Sequence, residues 1–255
     1  MTGDSIVFDH IAETYDETRG GMERGRQIGA ALNGMLPSGP LLEVGVGTGL
    51  VAAALTELGR SVAGIDLSAP MLARAAARMP GRVAVGDAQR LPVATGAVAG
   101  AYLVHVLHLV GDVGATLSEL HRVLRPGGLL AVTVRPDDDA PEDDDVWELV
   151  MRLYRAFPYA ARRQDGAGVV VAAAGERGFE LADRLEIRRP GVRSAPRDVA
   201  DGLEARSWSW TWRIPDEEWE RIAGPIVARM RELPDQDRAR SSDEVSPVLL
   251  LRRPG

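Results

Sequence analysis

The chain has 255 residues, 45% of them hydrophobic, which is enough for a large core, and its lack of cysteine excludes disulfides, thiolate nucleophiles and cysteine-ligated zinc or iron–sulfur clusters. All 30 basic residues are arginine, so Schiff-base catalysis and the phosphate-binding lysine of P-loop hydrolases are also excluded. A net charge of −7 argues against a nucleic-acid substrate, and the absence of a signal-peptide pattern or a long apolar run points to a cytosolic protein, off the membrane, acting on a small molecule.

Phe8 to Arg19 reads as a short helix, and Ile28, Leu32, Met35 and Leu36 form a helical stripe, so residues 1–36 are expected as an N-terminal helical cap. Pro37-Ser38-Gly39-Pro40 then delivers the chain to a first strand, Leu41–Val44. Helix and strand patterns alternate from there. Helical stripes at Leu50–Leu58, Met71–Met79 and Val113–Leu124 separate strands at Val62–Ile65, Val83–Val85, Val98–Val104 and Leu129–Val134. That alternation over 41–135 predicts a doubly wound, mostly parallel α/β sheet with helices on both faces.

Pro136 to Asp145 holds seven carboxylates in ten positions and is expected as a mobile loop, without the scaffold a metal site requires. Helices at Val146–Phe157 and about Val169–Arg177 follow, and Leu181–Ile187 and Pro247–Leu251 read as two final strands. Between them, residues 194–235 form an insertion containing Ser207-Trp208-Ser209-Trp210-Thr211-Trp212 and a helix with Trp219, Ile222, Ile226 and Met230. No internal repeat is visible, and the whole is expected as one domain with additions.

The run Leu41-Leu42-Glu43-Val44-Gly45-Val46-Gly47-Thr48-Gly49 places three alternate glycines at the end of a buried strand. Glycine lets the backbone approach a ligand closely, which makes Gly45 and Gly47 the expected points of closest approach. Asp66 ends the second strand, where a carboxylate can accept bonds from both ribose hydroxyls of an adenosine. A dinucleotide fingerprint needs G-x-G-x-x-G, whereas the third glycine here comes one residue early and the sixth position is Leu50. A ligand with a ribose and no pyrophosphate is therefore favoured over a nicotinamide dinucleotide.

From Glu43 to Gly128 the chain resembles the class I S-adenosylmethionine-dependent methyltransferases, in particular the small-molecule branch that includes ubiquinone and menaquinone biosynthesis enzymes. The resemblance rests on Glu43–Gly49, on Gly64-Ile65-Asp66-Leu67-Ser68 with Met71-Leu72, on Gly86-Asp87-Ala88 before Leu91-Pro92, and on Arg122–Gly128. It implies a seven-stranded sheet whose last strand is antiparallel, S-adenosylmethionine as cofactor, and methyl transfer to an oxygen, nitrogen or carbon of a small-molecule acceptor. A non-catalytic S-adenosylmethionine-binding protein and an NAD-dependent dehydrogenase remain the alternatives.

The resemblance implies roles for particular residues. Glu43 would balance the ligand ammonium, Asp66 would hold the ribose, Leu67 and Met71 would offer apolar surface to adenine, and Asp87 with the Ala88 amide would read the adenine edge. Tyr15 and Arg19 would cover the methionine end, Arg19 pairing with its carboxylate. His105, with His108 behind it, would stand at the end of the fourth strand beside the transferring methyl group, where a histidine can accept a proton or line the cofactor. If the tryptophan segment is extended, Trp208, Trp210 and Trp212 share one face that could close as a lid over the acceptor; if it is helical, they scatter, and core or homodimer packing is the competing reading.

Overall fold

Leu41–Val44 (β1) is buried at all four positions, as a strand covered by helices on both faces must be. It anchors a structure, a computed structural model, that describes residues 8–9, 11–135, 144–157, 163–212 and 214–255. The elements run α1 (Tyr15–Thr18), α2 (Gly21–Met35), β1, α3 (Leu50–Glu57), β2 (Val62–Asp66), α4 (Ala69–Arg78), β3 (Val83–Val85), β4 (Val98–Leu103), α5 (Val113–Val123), β5 (Leu124–Thr133), α6 (Asp145–Ala156), α7 (Ala167–Gly175), β6 (Glu180–Ser194), α8 (Pro196–Glu204), α9 (Asp216–Arg231) and β7 (Arg240–Arg252).

The seven strands lie in the order β3-β2-β1-β4-β5-β7-β6. β1 pairs parallel with β2 and with β4, β4 pairs parallel with β5, and β7 pairs antiparallel with β5. The strand order reverses between β1 and β4, and at such a switch point the loops leave the carboxyl ends of neighbouring strands in opposite directions and open a crevice. Apolar clusters cover both faces of the sheet. One includes Leu42, Val44, Leu117, Leu120 and Val170, the other Ile28, Leu32, Leu41, Leu55 and Tyr102.

Glycines set how closely the layers approach. A Cβ on Gly25 would stand 2.6 Å from the Leu50 carbonyl oxygen, so α2 can lie against the start of α3 only without a side chain there. A Cβ on Gly64 would stand 2.6 Å from a methyl of Val46, which presses the loop after β1 onto β2.

The chain divides into two compact units, residues 1–135, 164–187 and 246–255 in the first and 136–163 and 188–245 in the second. The expected insertion at 194–235 falls inside the second unit, which also takes α6. In that unit Val146, Leu153, Phe157, Leu203, Trp219 and Met230 share a core, with Phe157 stacked on Trp219 at 5.9 Å. The expected strands at 181–187 and 247–251 are longer, Glu180–Ser194 and Arg240–Arg252.

Two local expectations change. The helix expected over Phe8 to Arg19 is interrupted: Phe8, Asp9 and Ile11 are helical, the Thr14 amide then bonds back to the Ile11 carbonyl in a turn, and α1 begins at Tyr15. Of the acidic run, 136–143 lies outside the described residues. Asp144 caps α6 by accepting from the Val146 and Trp147 amides, while Asp145 pairs with Arg240 at 3.0 Å. Gly64→Ala should cost about 1–3 kcal/mol in urea unfolding by overpacking against Val46; wild-type stability in that variant would mean the loop has room to shift.

Candidate active site

The loop after β1 turns on three left-handed glycines, Gly45 (φ 77°), Gly47 (φ 54°) and Gly49 (φ 82°), the last serving as N-cap of α3. Its amides are used within the protein. The amides of Gly45 and Val46 donate to the Ile65 carbonyl, that of Gly49 to the Val46 carbonyl, and that of Gly47 to Asp66 Oδ2 at 2.7 Å. At Gly45 a Cβ would meet Val106 at 2.4 Å, so glycine is required there by packing as well as by φ; at Gly47 nothing stands within 4 Å of that position. Gly47 is the open approach.

Asp66 is the hub of the crevice. Its second oxygen, Oδ1, accepts from the Ser68 amide at 2.9 Å, so one carboxylate ties the β1 loop to the β2 loop. Burial pushes its pKa up, against the opposing bonds from the Ser68, Gly47 and Leu67 amides, and the net shift is upward. Around it opens a cleft. Asp66, Leu67, Met71, Asp87 and Ala88 line one part of the cleft, and Tyr15, Gly45, Gly47 and His105 line it too. Asp87 Oδ1 accepts from the Gln89 amide at 2.9 Å, which fixes its orientation.

A second cavity adjoins the first and shares Tyr15, Gly45, Gly47, Val104 and His105 with it. Its wall holds Glu43 and Arg24. Glu43 is buried and accepts from the Tyr102 hydroxyl at 3.0 Å; burial, reinforced by the Asp66 charge, pushes its pKa to about 8 despite that bond and one from the Ala52 backbone. Its carboxyl therefore holds a proton at neutral pH unless a cation comes beside it. Arg24 was missed in the sequence. It lies four residues before the buried Ile28 on α2, so extending the stripe one turn back would have found it.

Arg19, the expected carboxylate partner, lines neither cavity; its guanidinium stands 5.9 Å from the Tyr15 ring centroid, and burial lowers its pKa. His105 sits at the end of β4 in a left-handed conformation (φ 54°), its amide donating to Thr133 Oγ1 at 2.7 Å, and it is exposed where the two cavities meet. His108 corrects a second expectation. It lines neither cavity, and its pKa is lowered by burial, with Asp165 opposing and Arg135 reinforcing the shift.

The tryptophan segment is not extended. Ser209–Thr211 is a 3-10 turn, so the three rings do not share one face. Trp208 and Trp210 pack against the core of the second unit, Trp210 edge-on to Tyr154 at 5.4 Å, and the Trp212 indole donates to the Arg206 carbonyl at 2.6 Å. Among the described residues no cluster of three or more histidine or carboxylate side chains could hold a metal, and no helix is long and apolar enough to cross a membrane.

Residues 42–132 match the family described as Methyltransferase domain. The demethylmenaquinone methyltransferase of Mycolicibacterium paratuberculosis is 35% identical over an alignment spanning 87% of this chain and 90% of that protein. The chain belongs to the class I S-adenosylmethionine-dependent methyltransferases. This methyltransferase is also similar to the malonyl-[acyl-carrier protein] O-methyltransferase of Pseudescherichia vulneris, 29% identical over 69% of the chain and 70% of that protein. Its fold is that of an S-adenosylmethionine-dependent methyltransferase structure from Thermotoga maritima (18% identity, TM-score 0.60, 99% and 100% covered). The protein is thus an enzyme, and membership implies S-adenosylmethionine as methyl donor.

Glu43 makes the stability of the methyltransferase depend on pH. Its folded pKa of about 8 lies above the ordinary carboxyl value of 4.5, so the stabilisation is fully present below about 4.5 and lost as pH rises toward 8. Glu43→Gln keeps the shape and removes the titration. Urea unfolding from pH 5 to 8 should show wild-type stability falling more steeply than that of the variant; parallel curves would mean Glu43 ionises freely.

Proposed function

We propose that the two adjoining cavities form one elongated site for S-adenosylmethionine, and that a small-molecule acceptor receives the methyl group on the His105 side. The observation that carries this reading is the distribution of charge. Arg24 and Glu43 line one cavity, suiting a carboxylate and an ammonium, and Asp66 lines the other, suiting a ribose diol. Leu67 and Met71 provide an apolar wall for adenine, with Asp87 and Ala88 at its edge. The internal use of the Gly45, Val46, Gly47 and Gly49 amides leaves these four unable to cradle a pyrophosphate, which weighs against NAD.

The bound sulfonium would supply an already activated methyl group. What remains for this chain is to hold the reactants in line and keep water out, effects worth about 7–11 kcal/mol in well-oriented reactions. Phe8, Val106, Leu109 and Val110 make the cleft wall apolar, which favours a hydrophobic acceptor. His105 is placed to accept the proton of an acceptor hydroxyl or amine as it attacks. The Thr133 hydroxyl acts as a positioning group by holding the strained His105 backbone, a conformation that costs a non-glycine residue about 1–3 kcal/mol. The net charge of −7 favours a small molecule over a nucleic acid.

Calorimetry tests the reading. S-adenosylmethionine should bind in the micromolar range, about −8 kcal/mol, and NAD should not bind detectably. Arg24→Ala should weaken binding tenfold or more, about 1.4 kcal/mol, while Arg19→Ala should leave it within about 0.5 kcal/mol. Equal binding of NAD would reject the cofactor, and the reverse ranking of the two arginines would return the carboxylate to Arg19.

A further inference from the structure

The N-terminal segment reaches the crevice through α1, a helix of only four residues set off by a turn, too short to hold itself in place. Tyr15 lines both cavities, yet its neighbour Asp16 is buried. Asp16 Oδ1 accepts from the Thr48 hydroxyl at 2.5 Å, while Oδ2 accepts from Arg78 Nη2 at 2.6 Å and from Arg74 Nη2 at 3.1 Å. Arg78 also donates to the Thr48 carbonyl at 2.6 Å. Thr48 lies between Gly47 and Gly49, and both arginines belong to α4, the helix that follows Asp66. One carboxylate therefore joins the segment to the glycine loop and to α4.

A second tie lies seven residues earlier, where the Ser68 hydroxyl donates to Asp9 Oδ1 at 2.5 Å. The segment from Asp9 to Asp16 is thus held at both ends, and Phe8 and Tyr15, each next to a tie, line the cleft 6.3 Å apart ring to ring. Burial works against ionisation of Asp16, but the bonds from Thr48, Arg78 and Arg74 outweigh it and hold its pKa below the ordinary value. The Asp16 tie is charge-assisted and its carboxylate is largely buried, unlike that of an exposed ion pair.

We propose that Asp16 is a positioning residue that clasps the N-terminal segment to the glycine loop and α4, holding Tyr15 over the cofactor and so setting how fast cofactor and its demethylated product leave. This rests on the cofactor reading above. Asp16 itself touches neither cavity, so its effect on binding must pass through Tyr15.

S-adenosylhomocysteine is the probe. Stopped-flow dissociation from the Asp16→Asn protein should be at least tenfold faster than from wild type, and hydrogen exchange at residues 11–20 should lose protection while β1, β2 and β4 keep theirs. Arg74→Gln removes one bond at a partly exposed side chain that lines neither cavity, and serves if Asp16→Asn fails to fold; it should speed dissociation about threefold. Asp16→Glu should recover part of the loss, since the carboxylate remains. Wild-type dissociation and exchange in a folded Asp16→Asn, or in Arg74→Gln where Asp16→Asn does not fold, would overturn the positioning role and leave the cofactor reading standing. Failure of wild type itself to bind S-adenosylhomocysteine would overturn both.

Discussion

A single carboxylate organises the crevice. Asp66 accepts one amide from the loop after β1 and one from the loop after β2, and these two loops form the floor on which a ligand would rest. The bonds constrain Gly47 to its left-handed turn and Ser68 to its place as N-cap of α4. They also raise the cost of changing residue 66, because a substitution that removes an acceptor leaves a part-buried amide without its partner. If Asp66 holds the ribose as proposed, ligand recognition and loop geometry are coupled at this residue.

The same economy explains why the glycine loop differs from a phosphate cradle. A pyrophosphate site depends on amides left free to point at the ligand. Here the amides at Gly45, Val46, Gly47 and Gly49 satisfy Ile65, Asp66 and Val46, and the loop offers a left-handed backbone with space at Gly47. In the proposed site the polar recognition groups are side chains. Asp66, Glu43 and Arg24 would face the ligand there, and Glu43, whose pKa burial raises to about 8, would ionise when a cation comes beside it.

Much of this was legible in the sequence because it is local or periodic. Five apolar strand runs alternating with helical stripes are enough to specify the parallel sheet, and strand-end position alone nominates Asp66 and His105. The parts that were not legible depend on partners far away in sequence. Periodicity points to Arg24 and strand-end position to His105, but that Arg24 and His105 line the cavities while Arg19 and His108 do not depends on how the folded chain packs. The alternate tryptophans suit an extended strand and a 3-10 turn equally well as a pattern, and the turn prevails where Trp208 and Trp210 find a core assembled from α6, α8 and α9. Likewise, Asp16 reads as an exposed helix carboxylate until Thr48, Arg74 and Arg78 are brought against it.

The most direct test of the central reading is a crystal structure with S-adenosylhomocysteine. The ribose hydroxyls should lie within hydrogen-bond distance of the Asp66 carboxylate while Gly47 and Ser68 still donate to it, with the amino-acid end between Glu43 and Arg24 and the sulfur on the His105 side. A nucleoside bound away from Asp66, or an amino-acid end that leaves Glu43 and Arg24 untouched, would contradict it.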